Sequence, residues 1–281
     1  MSATDCPSFP IDPPDEPSQE FLRAINVAGN TLESQFKKHR GQGRPSHDYN
    51  WIKSELIWPS FDHLTFAFGN QVFSVLVELT DGTHTSLSSR ERERCFAAAR
   101  DFRLIPCVFP VHPVTLTPCF EGWNLFDLKE GFRIIPAQLA TDELIPMSEW
   151  ELQNFAIQIV RDHINQKLNG RIHSYSDIIG INPQIWFEDE GGKGSWVIVR
   201  FCPIIRGGEK NEFVGFERSS PHLEPLDGHF AAVSAASGAP VLYDLNGDII
   251  PLSRRYDGTA PVYRGDGFYV KFDGLQRIYV S

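Results

Sequence analysis

Five cysteines, Cys6, Cys95, Cys107, Cys119 and Cys202, form no CxxC pair and no dense framework. Their scatter excludes a disulfide-stapled scaffold and reads as reduced thiols, with Cys107 in "LIPCVF" a small buried side chain. The nine histidines show no HExxH or HxxxH spacing, so a zinc site has no basis in the sequence. Without a GxSxG elbow there is no candidate nucleophile for serine hydrolysis. No apolar run approaches the roughly 18 residues needed to span a bilayer. The first residues, "MSATDCPSFPIDPPDEPSQEF", have neither a basic nor an apolar signal region, which leads us to expect a soluble cytoplasmic protein. Basic residues are the minority, 26 against 36 acidic, for a net charge of −10. That balance disfavours a broad footprint for nucleic acid, which relies on clustered Lys and Arg, though it leaves room for a local basic groove.

What is present is apolar and patterned. Hydrophobic residues make up 41% of the 281 positions, 21 of them Phe, enough to build one large core or two modest ones. Residues 1–19 are rich in Pro, Asp and Ser and read as a tail. "EFLRAINVAGNTLESQFKKH" carries Phe21, Ile25, Leu32 and Phe36 at helical spacing. Alternation of Leu64, Phe66 and Phe68, then Phe73, Val75 and Val77, across Gly69-Asn70 predicts a β-hairpin. "SSRERERCFAAARDF" predicts a helix, "RLIPCVFPV" a buried strand, and "WNLFDLKEGFRIIP" a second hairpin.

From Ser148 the pattern restarts. Ser148 and Glu151 form a capping box for a helix with Trp150, Phe155, Ile159 and Ile164 on its apolar side, and Gly170 stands where a terminating residue belongs. "IWF" and "WVIVRF" flank the polar turn "EDEGGKGS", "GHFAAVSAAS" reads as a strand, and the chain closes with two strands expected to turn at Asp266-Gly267. The two halves thus repeat an order of elements. The expectation is an α/β fold of two similar units, each a mixed sheet flanked by helices, over residues 20–141 and 142–281.

Helix, a hairpin beginning beside a Pro, a strand of the form VxVx, then helix and strand: this order resembles the restriction-endonuclease-like, or PD-(D/E)xK, superfamily. The resemblance implies an Asp at the start of the hairpin and a Glu in the next strand that together hold a divalent cation, with a Lys two residues on. In the second unit Gln184 occupies the Asp position and Ile198-Val199-Arg200 the ExK positions, so the implied site is missing there. In the first unit Asp62 stands near the hairpin Asp, Glu33 lies on the preceding helix and Glu78 ends the strand, while Leu76 occupies the Glu position. Hard cations need oxygen ligands close together. A Mg²⁺-dependent nuclease with a displaced site of Glu33, Asp62 and Glu78, the metal on Asp62 and Glu78, is therefore the alternative to a fold that has lost its chemistry.

Other motifs are weaker. "GGKGS" precedes a strand rather than a helix, so it is no phosphate loop, and "DLNGD" lacks the Glu that closes a calcium loop. "VYRG" resembles the arginine-bearing strand of ADP-ribosyltransferases, but too little chain follows it for that family's later motifs. Trp186 and Trp196 with Arg200 lie on one hairpin and mark a candidate binding surface, because Trp and Arg are enriched at protein interfaces. The expected function is non-catalytic: a cofactor-free accessory, immunity-like or scaffolding protein that binds a protein partner, with its oligomeric state not legible.

Overall fold

The computed structural model describes residues 17–41, 48–56, 60–202, 227–238, 249, 261–265 and 267–278. Helix α1 (Gln19–His39) is one continuous helix whose first turn is closed by the Ser18 side chain accepting the Phe21 N–H at 3.1 Å. It buries Ala24, Ile25, Ala28, Leu32 and Phe36, the stripe that 3.6-residue periodicity dictates. Beneath it lie β1 (Tyr49–Lys53), β2 (Leu64–Phe68) and β3 (Gln71–Leu79), joined antiparallel in that order. Helix α2 (Ser89–Phe102), opened by a Ser88–Glu91 capping box, crosses over to β4 (Ile105–Val111), which pairs parallel with β3. Strands β5 (Leu125–Asp127) and β6 (Arg133–Ile134) complete a six-stranded mixed sheet in the order β1-β2-β3-β4-β5-β6. On β3, Phe73, Val75 and Val77 face the core under α1, whereas Val72 and Leu76 pack with Ala99 and Cys95 of α2. The sheet is thus covered on both faces.

A short helix α3 (Pro136–Leu139) leads through a linker to α4 (Glu149–Lys167), which the expected Ser148–Glu151 capping box opens. Then β7 (Arg171–Tyr175), β8 (Ile185–Glu188) and β9 (Gly194–Phe201) pair antiparallel, and β10 (Asp227–Ser237) runs parallel to β9. Strands β11 (Phe268–Phe272) and β12 (Gln276–Ile278) both add antiparallel to the far side of β10. The fold is mixed α/β, with two six-stranded mixed sheets and the same helix, three-strand meander and parallel fourth strand in each unit.

The repetition extends to local detail. The β1–β2 register slips between Trp51 and Lys53, and the β7–β8 register slips between Ile172 and Ser174, so each unit bulges its edge strand at the equivalent place. In the first unit the His63 N–H donates to the Val75 carbonyl (3.0 Å) while His63 Nδ1 accepts the Val77 N–H (2.8 Å). In the second, Gln184 does the same with Val197 (3.0 Å) and Val199 (2.8 Å). An imidazole and an amide thus carry the same hydrogen-bond task at matching positions.

The units are interlocked by α4. Ala156, Ile157, Val160 and Ile164 cover the second sheet, but Trp150 in the first turn is fully buried against Phe61 and Phe102 of the first unit, at centroid distances of 5.5 and 5.6 Å. Gln158 Nε2 donates to the Ile52 carbonyl (2.7 Å), and Glu55 accepts from Arg161 (2.6 Å) and Tyr175 (3.0 Å). Arg264 forks onto both Glu151 oxygens at 2.8 and 2.7 Å and also reaches the Arg103 carbonyl (3.0 Å).

Three expectations need correction. The closing strands do not flank Asp266-Gly267: Val262–Arg264 instead straps the linker, with Tyr263 bridging Pro146, and the strands are 268–272 and 276–278. Gly170 does not adopt the left-handed cap conformation, which falls on Asn169 (φ 47°). Gly170 is small because a Cβ there would stand 2.8 Å from Ile164 Cγ2. Finally, β1 and β7 were absent from the expected order because their bulges break the period-two alternation that reveals a strand. The expected tail lies outside the described residues, save its last three. No helix among the described residues is long and apolar enough to cross a membrane.

Candidate functional site

Asp62 sits just ahead of β2, on the α2 face of the first sheet, and is 1% exposed. Lys53, the last residue of β1, is equally buried, and its ammonium lies directly on Asp62 Oδ1. The same ammonium donates to Ser60 Oγ at 2.6 Å and stands 3.4 Å from Asp177 Oδ2, a carboxylate from the second unit. The other Asp62 oxygen accepts from Thr65 Oγ1 (2.6 Å) and Ser74 Oγ (2.7 Å). Ser74 in turn lies 3.4 Å from Cys95 Sγ, whose pKa burial pushes up to about 12. Both Asp62 oxygens therefore have partners, and the positive charge beside them is a lysine.

Burial by itself would lower the Lys53 pKa, but the carboxylates of Asp62 and then Asp177 outweigh it and hold it above the ordinary value. For Asp177 burial wins: it is raised, with Asp62 adding to the rise and the Lys53 ammonium opposing it. The Lys53 ammonium lies on Asp62 and a long 3.4 Å from Asp177. Among the described residues Asp177 Oδ1 accepts no hydrogen bond.

The other acids of the expected metal site are elsewhere. Glu33 accepts from Tyr49 Oη (3.1 Å) and Trp51 Nε1 (3.0 Å), whose rings pack on Phe36 under α1, so it lies on the opposite face of the sheet from Asp62. Glu78 shares the Asp62 face, but four residues of extended chain past Ser74 carry it about 13 Å along β3. There it is bound by Thr85 Oγ1 and the Arg92 guanidinium. Glu33, Asp62 and Glu78 are thus not brought together, and the residues present do not fit a Mg²⁺ ion, which needs its oxygens within about 2.1 Å. Among the described residues no group of three or more His, Cys, Asp or Glu is placed to hold a metal ion.

The β3 residue beside Asp62 is Ser74, not Leu76 or Glu78. Because His63 corresponds to Gln184, Asp62 corresponds to Pro183, and Ser74 to Trp196. The second unit therefore has neither carboxylate nor hydroxyl at this place. Trp196 is 2% exposed and packs with Ile198 and Phe230, and half-buried Trp186 lies against that cluster. Arg200 donates to the Val199 carbonyl and to Asn182 Oδ1, both at 2.8 Å. Trp196 is a core residue rather than a contact surface. A Cβ on Gly228 would stand 2.4 Å from its Cζ2 atom, so Gly228→Ala is expected to cost about 1–3 kcal/mol of overpacking. Urea unfolding followed by Trp fluorescence measures that loss.

Sequence reasoning missed Lys53, Asp177 and the Glu151–Arg264 pair, which meet only through tertiary contacts between units. A cavity of about 390 Å³ also opens at the junction, between the β2–β3 turn, the linker, α4 and residues Arg264, Gly265 and Phe268. A family model described as a domain of unknown function (DUF8840) matches residues 150–278, which begin at Trp150 and cover the second unit. No curated protein and no solved structure matches the chain.

Proposed function

We propose that this is a non-catalytic, cytoplasmic accessory protein, immunity-like or scaffolding in kind, that binds a macromolecular partner through a degenerate, tandem restriction-endonuclease-like core. The repeated order of helix, antiparallel meander and parallel fourth strand supports the fold resemblance. The observation that carries this reading is the Lys53 ammonium on Asp62, which pairs the acid standing at the hairpin Asp position with a buried positive charge in place of a metal. The nuclease alternative draws no support from Glu33, held by Tyr49 and Trp51, or from Glu78, held through one oxygen by Thr85 and Arg92.

The partner-binding half of the proposal is tested by cross-linking the tagged protein in its native lysate and sizing the products. A discrete complex that re-forms from purified components supports it. A free chain under every condition counts against it.

A further inference from the structure

We propose that the junction cavity is a binding site for a small organic cation with an apolar body. The site is separate from the macromolecule-binding reading and does not depend on it. Its volume of about 390 Å³ lies in the range of small-molecule pockets. Ile52, Val72 and Met147 supply apolar wall. Phe155 and Phe268 line it together as an edge-to-face pair with centroids 5.4 Å apart. Aromatic faces attract cations through the ring quadrupole.

The charged groups fix the sign of the ligand. Arg264 lines the cavity, but its guanidinium is already forked onto Glu151 and bonded to the Arg103 carbonyl, so it offers little to an anion. At the exposed side, the Asp142 and Glu143 carboxylates have no partner among the described residues. Gln158 uses its amide N–H on Ile52 and keeps its carbonyl oxygen as an acceptor. Aromatic rings, an unused amide oxygen and two carboxylates together favour an ammonium or guanidinium over an anion of the same shape.

Two methionines, Met1 and Met147, are the only ones in the chain, and Met147 lines the cavity. Methyl-¹³C-methionine NMR of the full chain therefore reports on the site with an internal control. The probes are 2-phenylethylammonium, 2-phenylethanol and phenylacetate. We expect a saturable shift of Met147 with Met1 unmoved, and affinity for the ammonium about tenfold above the alcohol. The exposed double variant Asp142→Asn, Glu143→Gln should bring the ammonium close to the alcohol, and Phe155→Leu should weaken the ammonium most. Absence of saturable binding, equal or tighter binding of phenylacetate, or an ammonium preference unchanged in the double variant would overturn the proposal.

Discussion

Asp62→Ala is expected to destabilise the protein by about 3–5 kcal/mol, because it leaves the buried Lys53 ammonium with a single carboxylate, Asp177, at a long 3.4 Å. Thr65 and Ser74 lose their acceptor in the same step, which adds to the cost. The effect belongs to the charge pair rather than to lost volume, and a double variant separates the two. Lys53→Met with Asp62→Leu removes both charges and should be more stable than Asp62→Ala alone. Asp177→Asn should cost less than about 1 kcal/mol, since that carboxylate is already disfavoured as an anion where it lies. Denaturant unfolding of the four proteins measures the series, and an Asp62→Ala cost near zero would remove the structural role assigned to the pair.

The second large effect is acid lability at His63. The ring is buried, accepts the Val77 N–H and meets Phe21 edge-on at 5.0 Å. Burial foremost lowers its pKa to about 4; nearby Lys53 and Arg94 act in the same direction, while Asp62 and Glu91 oppose. A base with a depressed folded pKa binds its proton more readily when unfolded. Its contribution is complete above pH 6.5 and is lost as pH falls toward 4, about 3 kcal/mol in all. Asp177 has the opposite sign, since a raised carboxyl gains stability as pH drops from its raised value to its ordinary one. The matching residue in the second unit suggests the control. His63→Gln keeps an acceptor for Val77, as Gln184 does for Val199, and removes the titration. Stability measured from pH 7.5 to 4 should fall about 3 kcal/mol further in the wild type than in His63→Gln, with the Asp177 contribution common to both. Parallel curves would contradict the assignment.

How much of this was legible in the sequence follows from which interactions are local. The α4 capping box needs only Ser148 and Glu151 three residues apart, and the β2–β3 hairpin only an alternating pattern around Gly69-Asn70, so both were readable. The shared order of elements was readable for the same reason. β1 and β7 were hidden by their bulges, and the lysine that neutralises Asp62 lies on one of those strands. Asp177 meets Lys53 across 124 positions, and Glu151 meets Arg264 across 113. No pattern within one element encodes such pairs. The register error that placed Leu76 and Glu78 beside the metal position arose because the Asp62 side chain reaches back to Ser74.

We infer that the Asp62 carboxylate anchors the fold rather than taking part in phosphodiester cleavage. The most direct measurement incubates purified protein with single-stranded DNA, double-stranded DNA and RNA in Mg²⁺ or Mn²⁺, beside Asp62→Asn and Glu78→Gln proteins shown to be folded by circular dichroism. The wild type is expected to cleave none of these substrates above the level of its variants. Metal-dependent cleavage by the wild type that is lost in folded Asp62→Asn would contradict it.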